Sequence, residues 1–446
     1  IDDVQLIASG DLRLTGVQPY QHVFATGDQT VANSLIGGLA VNGDLAITAG
    51  QVYPTTGSTF TITSSASDGR ITFARASDDT PSAPYSAGGD LTVQAAEIVQ
   101  GGVIRVPLGK LTLGSDTALT RTADGQSVDF APATRSLELL EGSVTSVSAE
   151  GLTIPYGTTT DQIEWFFSPT SSEKLTAPPS GEMHLAGMKL AMDSGAKVDL
   201  SGGGDLYAYE FVSGVGGSRD VLDRFNSDPF SSHTGYQYPD GRQVYAIVPG
   251  LSAATVAAYD PIYSSDYAGL YGGDAGKQVY LAASPGLPAG WYTLLPAKYA
   301  TLPGGFRVVE DVGAGAQPFG VTGQLKDGTA VVTGYYGVAG TEARESTIRT
   351  FDVQGRSVYS KYSTIALTYA NATFAALADK KGENAPRLDE AGALVKRSKP
   401  GALPRLFLRA MHFVSETRVR NQQRRELASP DLTPSGGTTY TLSATQ

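Results

Sequence analysis

The chain has 446 residues, a net charge of −11, 53 glycines and no cysteine. Without cysteine, a disulfide, a thiolate nucleophile and a Cys-held metal are excluded, and the acidic balance argues against general nucleic-acid binding. Charged residues are 17%, below the roughly 25% of ordinary soluble domains, and glycine exceeds its usual ~7%. That balance suits a turn-rich β protein, whose corners need small or hydrogen-bonding residues.

The chain opens on the strand-like Ile1–Ile7, its first residues show no basic-then-apolar signal-peptide pattern, and no apolar run approaches membrane-spanning length. A processed piece of a longer protein is expected. Residues 1–205 then carry short alternating runs. These are Asp11–Leu14, Gly43–Thr48, Thr59–Thr63, Arg70–Phe73, Asp90–Val93, Val103–Val106, Lys110–Leu113, Ser136–Leu140, Ser143–Val147, Gly151–Ile154, Met183–Leu185, Lys189–Met192 and Lys197–Leu200. Period-2 alternation buries one face of each strand. Glycine pairs and Asn-Gly or Asp-Gly steps fold each strand back quickly. Gly10-Asp11, Gly43-Asp44, Gly89-Asp90 and Gly204-Asp205 open similar segments at ragged spacing. The pattern predicts an all-β chain coiled as a parallel β-solenoid, with an antiparallel sandwich as the competing architecture. The segment Ala74–Ala87 reads as a loop thrown out from one layer.

Residues 206–375 change character. Of 22 tyrosines, 17 lie between Tyr207 and Tyr369, among dense Pro and Gly. This region is expected to continue or decorate the solenoid. Tyrosine serves as core filler or as contact surface, so Tyr207, Tyr209, Tyr259, Tyr263, Tyr267 and Tyr271 are candidate ligand contacts. Residues 376–446 form a basic cap or linker ending in a strand. From Lys380 to Glu426, twelve basic side chains face five acidic ones, giving +7 and leaving −18 for the rest. On a helix, Leu406, Ala410, Phe413 and Val414 would share a side. Residues 395–425 therefore read as a cap, a linker or a partner-binding helix, with Ala370–Lys381 as a short helix before them.

The residues Gly89–Val93 through Gly109–Leu113, Gly142–Gly157 and Val198–Phe211 resemble the filamentous-haemagglutinin type of large exoprotein, secreted by the two-partner route in Gram-negative bacteria. So do Gly217–Leu222, Tyr259-Asp260-Pro261, Val279-Tyr280-Leu281, Tyr292–Gly304 and Pro386-Arg387-Leu388, which are similar to a late region of some members. The likeness spans about residues 40–392 and is most specific over 142–304. It implies a right-handed parallel β-helix, a secreted or cell-surface location, and adhesion or assembly rather than catalysis. It also implies an outer-membrane secretion porin as partner during export, with a host-cell, glycan or self surface as target. The secretion-recognition domain that opens such proteins is missing, and Val395–Arg425 departs from the family's usual layers.

No enzyme motif of strong specificity is present. The four histidines (22, 184, 233, 412) are scattered without metal-ligand spacing, and no cofactor is implied. Asp205, Glu210, Asp220 and Asp223 form the one carboxylate cluster, without an EF-hand loop. Within it, Asp220 and Asp223 with Arg219 or Arg224 are the best candidate for cutting an acidic polysaccharide. A non-catalytic adhesive or fibre-forming segment is expected, the alternative being a β-helix that binds or cleaves an extracellular polysaccharide. Charge asymmetry between the acidic body and basic tail suggests head-to-tail homo-polymer contacts. Neither nucleic acid nor stable membrane insertion is expected.

Overall fold

A computed structural model describes residues 3–16, 35–123, 126–167, 174–179, 181–214, 219–222, 244–249, 277–315, 317–338, 343–380, 387–388, 394–395, 405–415 and 438–443. The fold is all-β, with two α-helices among the described residues. It divides into two compact units. Unit 1 holds residues 1–154, 176–206 and 371–446; unit 2 holds residues 155–175 and 207–370.

In unit 1 the strands stack in parallel as three columns. The first is Leu35–Val41, Ser58–Ser64, Asp90–Gln94, Lys110–Leu113 and the start of Glu182–Met192. The second is Val4–Ile7, Leu45–Ala49, Arg70–Arg75, Glu97–Gln100, Ser136–Leu139 and the end of Glu182–Met192. The third is Leu12–Leu14, Val52–Pro54, Val103–Arg105, Val144–Ser146 and Lys197–Asp199. The chain visits first, second and third columns in turn, then starts the next layer.

Alternation sets which side chains enter the core. In the second column Leu45, Ile71, Ile98, Leu137 and Leu190 occupy successive register positions, all buried. In the first column Ile62, Val93, Leu113 and Leu185 do the same. With the third column's Leu14, Val52 and Ile104 they form one continuous apolar cluster. Each fully buried Leu or Ile contributes about 1.5–3 kcal/mol of transfer free energy. The corners are tight. Gly114 has φ +77°, and a Cβ there would lie 2.1 Å from the Ala186 carbonyl oxygen, so no other residue fits.

Among the described residues, segments leave the layers at a corner or in place of a column strand. Residues 76–87 leave after the second column where a third-column strand would stand, so Val52 pairs directly with Ile104. Arg105, 2% exposed, holds this excursion: its guanidinium donates to the Pro81 carbonyl at 3.1 Å and pairs with Glu150. The antiparallel hairpin Leu119–Ala123 and Gln126–Ala131 leaves at another corner.

Within residues 395–425, where a helix is one of the sequence readings, Arg405–Ser415 is a strand parallel to Glu182–Met192. Its register sets Leu406, Leu408 and Phe413 opposite the buried Met183, Leu185 and Leu190. Positions 406, 410 and 413 fit a helix face, but 406, 408 and 410 also fit a strand, and the waiting sheet edge decides between them. Thr438–Ser443 is a strand that pairs antiparallel with it. The helix is Ala370–Lys380, whose Asn371 N–H is accepted by Asp205 Oδ1 at 3.0 Å.

In unit 2 Thr153–Thr160 pairs antiparallel with Glu164–Phe166, Asp205–Val212 antiparallel with Thr364–Tyr369, and the neighbours within a larger sheet are antiparallel. One sheet orders Glu164–Phe166, Thr153–Thr160, Asp205–Val212 and Thr364–Tyr369. The larger sheet orders Gly290–Thr293, Gln278–Leu281, Ala330–Tyr336, Arg349–Gly355, Phe306–Glu310, Val244–Ile247 and Leu295–Pro296. Its first and last members are consecutive in the chain, so the sheet curls toward a barrel. Tyr245, Ile247, Val279, Leu281, Tyr292, Val308, Val332, Tyr336, Phe351 and Val353 pack inside it.

Candidate contact surface

Alternation along Asp205–Val212 puts Tyr207 and Tyr209 on one face and Glu210 on the other. Tyr207 is buried, its hydroxyl 2.8 Å from Thr301 Oγ1 and its ring 6.3 Å from that of Tyr369. Tyr209 is half-buried. It donates to the Asp220 carboxylate, and the Lys298 ammonium stands 5.7 Å from its ring centroid. These two tyrosines therefore pack inside unit 2. Tyr259, Tyr263, Tyr267 and Tyr271 lie outside the described residues, as does Asp223.

The described carboxylates of the sequence cluster separate into three tasks. Glu210 accepts the N–H groups of Asp161 and Gln162, each at 2.8 Å, and the Thr159 hydroxyl at 2.8 Å. Asp161 and Gln162 have φ of +53° and +57°, so Glu210 holds a left-handed hairpin turn that non-glycine residues resist. Asp220, 5% exposed, accepts the Leu222 N–H at 2.9 Å besides the Tyr209 hydroxyl. Asp205, in unit 1, caps the start of Ala370–Lys380. Each oxygen so engaged serves the backbone or a neighbouring hydroxyl. Among the described residues no group of three or more His, Asp or Glu could hold a metal ion.

A different grouping stands on the outer face of the curled sheet. Val279 and Leu281 point into the core, so Tyr280 points out. Tyr292 points in, so Trp291 points out; Tyr336 points in, so Tyr335 points out. Cross-strand register places Trp291 and Tyr335 on either side of Tyr280. The Tyr280 and Tyr335 rings stack at 5.2 Å and 5°, and Trp291 meets both edge-on, at 5.4 and 5.6 Å. Phe319, 45% exposed, tilts against both tyrosines at 5.8 and 5.4 Å. The Arg344 guanidinium lies 4.6 Å from the Tyr335 ring centroid. A Cβ on Gly337 would come within 3.3 Å of the Trp291 ring.

The grouping is anchored from below. Tyr336 donates to Glu310 at 3.1 Å, and Arg349 pairs with Glu310 at 2.8 Å and Glu345 at 3.2 Å. The Glu310 hydrogen bond holds the Arg349 pKa above its ordinary value. Burial raises the pKa of the inward Tyr292. The outer rings offer ring edges, part of their faces and one cation, which suits contact with apolar or π surfaces. They bring together no nucleophile and base.

No protein-family model, curated protein or solved structure matches this chain.

Proposed function

We propose that this chain is a non-catalytic structural or adhesive segment of a secreted or cell-surface exoprotein of the filamentous-haemagglutinin type. Its scaffold, unit 1, is read as a right-handed parallel β-helix, and unit 2 as the inserted region that presents contact surface. The observation that supports this most is the cyclic visit of the chain to three parallel columns whose core positions stay in register. Such a stack lengthens by adding layers and tolerates insertions at corners, which suits an extended presenting scaffold. In this reading an outer-membrane porin handles export, and the target is a host-cell, glycan or self surface. Antibody against the purified chain should label intact producing cells or the culture medium; signal confined to the cytosol would contradict the proposal.

A second reading is favoured by one observation, the outward Tyr280, Trp291, Phe319 and Tyr335 with Arg344. On it, unit 2 binds an extracellular polysaccharide through CH–π contact. Trp291→Ala should then cut glycan-array binding by at least about tenfold, corresponding to the ~1.4 kcal/mol of one ring contact. Unchanged binding would remove this reading.

A further inference from the structure

Among the described residues, the larger sheet of unit 2 has an exposed edge strand with one partner, and its chemistry is self-complementary. Strand Thr322–Gln324 pairs with Ala330–Tyr336 on one side, with Thr322 opposite Val332, Gly323 opposite Val331 and Gln324 opposite Ala330. Leu325 N–H donates to the Thr329 carbonyl at 2.8 Å. Backbone groups alternate in direction along a strand, so Leu325 and Gly323 face the partner strand while Thr322 and Gln324 turn theirs away. All residues from Gln317 to Lys326 are exposed. Three of them are large and apolar: Phe319 at 45%, Val321 at 47% and Leu325 at 52%. No charged residue lies between Gln317 and Leu325, although edge strands are commonly guarded by one.

We propose that this edge pairs antiparallel with the same edge of a second copy of the chain, about a two-fold axis through Gly323. Thr322 then stands opposite the second copy's Gln324, and each exchanges N–H and C=O with the other. By symmetry the second such pair forms on the other side of the axis. Gly323 faces its own counterpart at a non-hydrogen-bonded position, where Cα atoms approach to about 4.5 Å. A Cβ on Gly323 would meet nothing within 4 Å, so the approach is open. Val321 and Leu325 share a face with Gly323, and the symmetry sets each Val321 against the other copy's Leu325. Lys326 falls opposite Gly320, so no like charges meet. The Val321–Leu325 spacing about Gly323 maps onto itself under this axis, so a second copy fills the backbone groups and covers both exposed apolar side chains at once. This contact is isologous and closes at two copies, which separates it from head-to-tail polymer growth.

The absence of native cysteine makes the test clean. Full-length Gly323→Cys, mildly oxidised at micromolar concentration, should cross-link to a dimer far faster than Val312→Cys, an exposed site off the axis. By sedimentation equilibrium the natural chain should dimerise with concentration. Thr322→Pro removes an outward N–H and keeps the inward pairing, and should weaken the dimer at least about tenfold, equivalent to roughly 1.4 kcal/mol. Val321→Lys, which leaves the backbone untouched, should do the same. A monomer at all concentrations, cross-linking of Gly323→Cys no faster than Val312→Cys, or a dimer indifferent to both edge variants would overturn the proposal.

Discussion

The row Leu45–Ile71–Ile98–Leu137–Leu190 fills one position of unit 1 in five successive layers. The core of unit 2 is gathered instead from strands running in opposite directions, and leans on aromatics: Tyr245, Tyr292, Tyr336 and Phe351. The first core repeats a small aliphatic rule, so each layer can be lengthened at a corner without disturbing its neighbours. The second has no repeat and needs specific ties, such as Glu210 on the 161–162 turn and Glu310 between Tyr336 and Arg349. Periodic stacking makes a scaffold; aromatic packing with polar ties makes a shaped surface.

The largest expected effects sharpen that comparison directly. Phe73 in unit 1 and Phe351 in unit 2 are each 1% exposed. Either Phe→Ala change should cost about 3–5 kcal/mol. Hydrogen exchange followed by peptide should show lost protection concentrated in the unit that carries the change; equal loss in both would merge the two units into one cooperative body. Next comes Gly114→Ala, which combines a left-handed φ with a backbone clash. It should cost about 2 kcal/mol by denaturant unfolding. A neutral result would mean that the corner relaxes and that layer spacing is looser than the register implies.

The smallest effect separates the units by sign. In unit 1, burial raises the Asp11 pKa above 3.8, opposed by its hydrogen bond from Gln51. The folded state there holds its proton more tightly than the unfolded chain, so stability falls as pH rises through that raised value. In unit 2, hydrogen bonds from the Thr329 N–H, the Tyr362 hydroxyl and the Thr329 hydroxyl lower Asp327 to about 2. Its contribution is complete above about pH 4 and is lost as pH falls through about 2. Denaturation midpoints measured between those limits should therefore lose part of their acid slope in Asp327→Asn and keep it in Asp11→Asn. The same slope in both variants would contradict the assignment.

Strands in unit 1 were legible because each carries its own alternation: the runs at 43–48, 70–73, 90–93, 110–113 and 136–140 correspond to strands Leu45–Ala49, Arg70–Arg75, Asp90–Gln94, Lys110–Leu113 and Ser136–Leu139. The Gly-Asp copies looked ragged for a structural reason. Asp11 precedes a third-column strand, Asp44 a second-column strand, and Asp90 opens a first-column strand, so they mark corners rather than one repeated position. The strand Arg405–Ser415 was ambiguous because its apolar residues satisfy both periods. The outward ring group was hidden for another reason. Residues 280, 291 and 335 meet through cross-strand register and Phe319 joins them from a turn, although the alternation of Lys277–Ala282 and Gly290–Leu295 already turns Tyr280 and Trp291 away from Val279 and Tyr292. The burial of Tyr207 and the hydroxyl partners of Tyr207 and Tyr209 are not written in the local spacing of Asp205–Val212.

The central claim is the in-register parallel stack, and the cysteine-free chain lets it be measured by paired spin labels. Ala46 is in register with Thr72, and Thr72 with Val99. Labels on Ala46→Cys and Thr72→Cys sit one strand spacing apart, about 4.8 Å, and those on Ala46→Cys and Val99→Cys about twice that. Strong dipolar broadening in the first pair and weaker broadening in the second is the predicted result. Spectra that are simple sums of the single labels in both pairs would contradict the stack.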